Sequence, residues 1–111
     1  MDTYSKPSIS TDEEILEDEI VNSIPKYNVV LLDDNEHTYE YVIEMLMDIF
    51  GHSPRTAFEM AVEVDTRKRV VVYTTYKERA EMKKRQIESY GADWRIPACR
   101  GSMSAVVEKA S

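Results

Sequence analysis

The stretch that most constrains this chain is Val29-Val30-Leu31-Leu32, which runs straight into Asp33-Asp34-Asn35-Glu36 and from there into an amphipathic segment. A short continuous apolar run ending in turn residues reads as a strand, here Tyr27 to Asp33. Beyond the turn, Tyr39, Val42, Ile43, Leu46, Met47 and Phe50 follow the i, i+3, i+4, i+7, i+8, i+11 spacing of one helical face. That spacing predicts a helix from about Thr38 to Phe50, and Gly51 ends it as a left-handed C-terminal residue. Strand and helix thus meet through a knot of hydrogen-bond acceptors beside an apolar surface. Such a juncture suits a ligand with a cation at one end and an apolar group next to it. A peptide N-terminus with a large first side chain has that form.

The next start signal is Ser53-Pro54, a serine N-cap with proline at the first helical position. Ala57, Met60, Ala61 and Val64 make the apolar stripe of this second helix, which ends near Asp65-Thr66. Arg67-Lys68-Arg69 leads into Val70-Val71-Val72-Tyr73, a β-branched run that predicts a strand. Thr75-Tyr76-Lys77-Glu78 has capping-box spacing and predicts a third helix. That helix runs to about Tyr90, burying Ala80, Met82, Ile87 and Tyr90 before Gly91 stops it. Residues 92–102 show no period, and Ser104 to Glu108 forms the last strand. The order β-α-α-β-α-β predicts an α+β domain with three helices packed on a small antiparallel three-stranded sheet.

With 111 residues the chain fits one domain with a modest core. Its net charge of −7 argues against a general nucleic-acid affinity, which needs clustered Lys and Arg. The acidity is uneven: residues 1–26 carry 7 acidic and 2 basic side chains, the remainder 14 and 12. This divides the chain into a flexible acidic arm over residues 1–25 and a globular part over residues 26–111. In the arm, Ile15, Leu16, Ile20, Val21 and Ile24 recur at roughly helical spacing, which would also suit a short helix docked on a partner. The lone Cys99 excludes an internal disulfide. The start lacks a signal-peptide pattern and no run approaches a membrane span, so a cytoplasmic protein is expected. His37 and His52 lack metal-ligand spacing, Cys99 has no motif tying it to a base, and no metal, cofactor or catalytic residue is expected. Arg67-Lys68-Arg69 reads as a solvated strand entry.

Three segments together resemble ClpS, the adaptor that delivers N-end-rule substrates to a Clp AAA+ unfoldase. They are VVLLDDNEHTYEYVIEML in the first strand and helix, Glu78-Arg79-Ala80-Glu81-Met82-Lys83 in the third helix, and Val107-Glu108-Lys109-Ala110 at the end. The resemblance covers about Pro25 to Ala110. It implies a non-enzymatic adaptor that holds the free α-amino group of a substrate beginning with Leu, Phe, Tyr or Trp. On this implication Asp33, Asp34, Asn35 and Asp65 would contact the ammonium. His37, Tyr39, Val42, Ala61, Val64 and, across a longer loop, Met103 would line the side-chain pocket. Glu78 and Lys83 would touch a ClpA-like or ClpC-like unfoldase, and the acidic arm would engage it during hand-over.

Several of these positions depart from the family pattern. Asp33 stands where the family has Asn, Asn35 where it has Asp, and Asp65 where it has His. All three can still accept a hydrogen bond, and bonds to a charged acceptor are the stronger kind. Tyr39 and Ala61 both replace Met, one narrowing an edge of the pocket and the other opening its floor. Three readings stay open on these residues. Asp33, Asp34 and Asn35 are also ordinary turn formers. A regulator that docks on the unfoldase without binding degrons would use Glu78 and Lys83 but not Asp33 and Asp65. A small hydrolase would use the carboxylates for acid–base work.

Overall fold

A computed structural model describes residues 24–110 of the chain. Residues 1–23 of the acidic arm, with its spaced apolar residues up to Val21, lie outside the described residues. Six elements follow in order: β1 (Lys26–Leu32), α1 (Tyr39–Phe50), α2 (Pro54–Arg67), β2 (Arg69–Tyr76), α3 (Lys77–Glu88) and β3 (Ser104–Lys109). The predicted order and the antiparallel three-stranded sheet are both present, with strand order β2-β1-β3.

The central strand is β1, and its composition follows from that place. Val29, Val30 and Leu31 are all fully buried. Val29 and Leu31 join the main core, whereas Val30 points to the opposite face of the sheet, paired with Val71 and Val106. The Arg69–Glu108 ion pair links the two edge strands. The β1–β2 register shifts between Val29 and Val30, leaving Val72 as the extra residue of a bulge. The displaced Val72 carbonyl finds a partner in His52 Nε2 at 2.7 Å. A bulge at the edge strand is thereby satisfied by a side chain from the α1–α2 connection.

Local capping sets the helix limits. Thr38 is the N-cap of α1 and accepts from the Tyr41 amide at 3.1 Å. Gly51, at φ 73°, closes α1 through its amide bond to the Met47 carbonyl. Ser53 caps α2 as expected, accepting from the Thr56 amide at 3.1 Å. The other end of α2 differs from a simple stop: Lys68, not glycine, takes the left-handed conformation at φ 72°. Its amide bonds to the Val64 carbonyl, and its own carbonyl accepts from the Asp33 amide at 3.1 Å. This pair of bonds ties the end of α2 to the end of β1.

Three sequence expectations need correction. The α1 face is rotated: Tyr41, Val42, Met45 and Leu46 are buried, while Tyr39 and Met47 are exposed. Tyr41 can be buried because its hydroxyl donates to the Gly91 carbonyl, so the polar end of the ring is satisfied. The Thr75–Glu78 capping box does not form. Thr75 and Tyr76 instead continue β2 by pairing with Tyr27 and Lys26, and Tyr76 begins α3 without a side-chain cap. Finally, Met82 is exposed, and α3 buries only Ala80 and Ile87 fully, ending at Glu88 with Ser89 as its C-cap.

Candidate functional site

The ends of β1 and α2 and the start of α1 converge at one corner of the domain. Asp33 stands at the end of β1 with its side chain 11% exposed. Its Oδ1 accepts from the Asn35 amide at 3.2 Å, an Asx turn that fixes the carboxylate. Its Oδ2 lies 3.4 Å from Lys68 Nζ. The same ammonium donates to the Asp65 carbonyl at 3.2 Å. Across from it, the Tyr39 hydroxyl donates to Asp65 Oδ2 at 2.7 Å. That carboxylate pushes the Tyr39 phenol above the usual tyrosine range; partial burial and the nearby charges of Asp65 and Asp33 push the same way. The structure therefore brings Asp33, Tyr39, Asp65 and Lys68 into one polar cluster.

Asn35 sits at the rim of this corner, exposed and at φ 60°. Asparagine tolerates that left-handed conformation better than most residues, which accounts for its place in the turn. Asp34 turns the other way. Its Oδ1 accepts from the Glu36 amide at 3.0 Å and meets His37 Nδ1 at 2.9 Å. The His37 side chain is only 2% exposed, and its Nε2 donates to the Gly101 carbonyl at 2.7 Å. Asp34 and His37 thus form a second polar group, which binds the β1–α1 turn to the loop before β3. Cys99 Sγ lies 3.4 Å from the same His37 nitrogen.

The apolar residues assigned to the side-chain pocket are close-packed. Val42, Ala61, Val64 and Met103 all belong to the main core and are at most 4% exposed. No cavity opens among the described residues. The Tyr39 ring lies between Phe58, edge-on at 6.1 Å between centroids, and Asp65. Residues 58, 61 and 65 share one stripe of α2, so the ring runs along the part of that helix that carries Ala61.

The loop from Gly91 to Met103 holds a group that the sequence did not reveal. Asp93 is 1% exposed, yet it is a charged residue in an aperiodic segment. Its Oδ2 accepts from both the amide and the hydroxyl of Thr38 at 2.8 Å. Its Oδ1 accepts from the Arg95 amide at 3.1 Å and guanidinium at 3.2 Å. Burial pushes this carboxyl up, but the four bonds from Thr38 and Arg95 outweigh it and hold the pKa at about 2. Arg95 continues the chain of contacts to Glu44 on α1 at 2.6 Å. Thr38, the N-cap of the helix that carries Tyr39, is in this way locked from behind.

The two residues assigned to a partner surface differ in freedom. Glu78 is exposed on the first turn of α3. Lys83 is committed: Nζ donates to the Ile49 carbonyl at 2.6 Å and lies 5.4 Å from the Phe50 ring centroid and 5.9 Å from that of Tyr73. It caps the C-terminal end of α1, where a cation also meets the negative pole of the helix.

The fold is similar to that of a solved structure, Agrobacterium tumefaciens ClpS2 bound to L-phenylalaninamide, at a TM-score of 0.66 and 22% sequence identity. The match covers 78% of this chain and 98% of that one. The family model for the ATP-dependent Clp protease adaptor protein ClpS matches residues 22–96, which include β1, all three helices, β2 and the Asp93 network. The chain belongs to the ClpS family of Clp protease adaptors.

Proposed function

We propose that this adaptor captures proteins through a free N-terminus bearing Leu, Phe, Tyr or Trp and delivers them, in the cytoplasm, to a ClpA-like or ClpC-like unfoldase for degradation. The observation that carries the reading is the Asp33–Asp65 corner, where one ammonium is already held between a carboxylate and a backbone carbonyl. A site that seats a lysine ammonium has the acceptors an α-ammonium needs. L-Phenylalaninamide, the molecule bound by the similar ClpS2, carries such an ammonium beside a benzyl group. In this chain Asp33 and Asp65 would take the ammonium, with Asn35 at the rim. Asp34 would act through His37, fixing the turn. Val42, Ala61, Val64 and Met103 would receive the first side chain.

The energies permit a useful affinity. Burying a Leu or Phe side chain contributes about 1.5–3 kcal/mol. Each hydrogen bond to a charged group contributes about 1.5–3 kcal/mol. With three such bonds the gross gain reaches about 12 kcal/mol at most, and an association cost of at least about 4 kcal/mol leaves about −8 kcal/mol, or about micromolar, as the upper end of the affinity. The test is fluorescence anisotropy of a labelled Phe-start peptide against wild type, Asp33→Ala and Asp65→Ala. Weaker binding by both folded variants is expected, and unchanged affinity in both overturns the assignment.

A second reading has one observation in its favour. The closed packing of Val42, Ala61 and Val64 leaves no hollow for a side chain, which suits a regulator that docks on the unfoldase without taking degrons. That reading expects Glu78→Ala to weaken unfoldase binding while no Phe-start peptide binds at all.

A further inference from the structure

We propose that the acidic corner is occupied by two of the chain's own donors, Tyr39 and Lys68, and that capture of an N-terminus is an exchange in which the substrate displaces them. This inference rests on the degron-binding reading above. Its basis is geometric. The Asp65 carboxylate is taken by the Tyr39 hydroxyl at 2.7 Å. The Asp33 carboxylate and the Asp65 carbonyl share the Lys68 ammonium at 3.4 and 3.2 Å. Both carboxylates that would take an incoming α-ammonium therefore already have a donor on one oxygen. The closure extends to the apolar side, because the ring that delivers the hydroxyl lies along the α2 stripe from Phe58 to Asp65.

One movement of Tyr39 accordingly frees a carboxylate and uncovers the side of Phe58 on which its ring packs. The ammonium and the first side chain of a substrate are thereby coupled. A peptide with an ammonium but a small first residue competes for Asp65 without filling the space the ring leaves. An acylated peptide with a bulky first residue loses the charge that would replace the phenol and the lysine. Lys68 is placed for this role by its left-handed backbone at the end of α2, next to the strand end that carries Asp33. Its side chain is 66% exposed, so it leaves at little cost. Tyr39 is the stronger competitor, since its bond is short and its ring packs on Phe58.

The experiment is anisotropy with a labelled Phe-start peptide and its N-acetyl form against wild type, Tyr39→Phe, Lys68→Met and Arg67→Met. Tyr39→Phe keeps the ring and removes the hydroxyl. Arg67→Met removes the same charge as Lys68→Met, one residue away, without emptying the corner. Tyr39→Phe is expected to bind the free peptide about tenfold tighter than wild type, the size of one hydrogen bond to a charged group. Lys68→Met is expected to bind about two- to fivefold tighter than Arg67→Met. If wild type binds the free peptide selectively and neither variant gains, self-occupancy is overturned while the degron reading stands. If no variant distinguishes the free peptide from the acetylated one, the degron reading is overturned and this inference with it.

Discussion

Replacing Asp93 by Asn tests whether the loop before β3 is what locks the start of α1. The carboxylate accepts four bonds, two from Thr38 on Oδ2 and two from Arg95 on Oδ1. Asparagine can keep its carbonyl oxygen on Thr38, but its amide then faces the Arg95 donors, and two charge-assisted bonds are lost. The pKa gives a second route to the size. A carboxyl held at about 2 instead of 3.8 contributes about 2.5 kcal/mol to folding at neutral pH. Because the folded-state value is depressed, this stability is complete above about pH 4 and is lost as pH falls towards 2. Urea unfolding at pH 7 should therefore show Asp93→Asn less stable by about 2–3 kcal/mol, a midpoint shift of about 2–3 M at a slope near 1 kcal/mol/M. The gap to wild type should close between pH 4 and pH 2. A loss under about 0.5 kcal/mol at pH 7, or a gap unchanged down to pH 2, would refute the reasoning.

Three further outcomes follow from particular contacts. Lys68→Gly should stabilise the fold by about 1 kcal/mol in thermal or urea unfolding, since glycine adopts φ 72° without the side-chain clash that a lysine suffers there. A loss of stability would mean that the Lys68 side chain matters more than its backbone conformation. Lys83→Met should destabilise by about 1–2 kcal/mol through the unpartnered Ile49 carbonyl, whereas exposed Glu78→Ala should stay within about 0.5 kcal/mol. Equal stability of the two variants would show that Lys83 is not a structural cap. Ala61→Met should cost about 1–3 kcal/mol by overpacking a position that is 1% exposed, and Tyr39→Ala should recover part of that loss if the ring is what fills the neighbouring space. No recovery in the double variant would place the strain elsewhere.

Much of the fold is legible in the sequence wherever one local signal decides the structure. The apolar run at 29–32 is the central strand, Ser53-Pro54 opens α2, and Gly51 closes α1. These depend on neighbours along the chain. The capping box at Thr75 failed because its residues had a competing partner: pairing with β1 carries β2 on to Tyr76. The rotated face of α1 has a similar cause. Tyr41 looks polar enough for the surface, but its hydroxyl reaches Gly91, fifty residues away, and the ring can be buried.

The candidate site divides in the same way. The resemblance points to Asp33 and Asp65, and the structure brings both to one corner. What they meet was not legible. Lys68 reads as part of a solvated basic string, and nothing local places a lysine in a left-handed cap beneath a strand end. Asp93 lies in a segment without period, and its partner Thr38 is 55 residues away. His37, assigned to the apolar pocket, proves to be a buried polar tie, because Asp34 and Gly101 supply a partner for each ring nitrogen. Each of these depends on contacts made only after the chain has folded.

The central claim is that an unblocked, bulky N-terminus is what the Asp33–Asp65 corner recognises. Isothermal titration of the full chain with a Phe-start peptide and with its N-acetyl form addresses it directly. The account predicts binding near micromolar for the free peptide and about 100-fold weaker binding for the acetylated one, the cost of losing two bonds to charged acceptors. Equal affinities for the two peptides would contradict it.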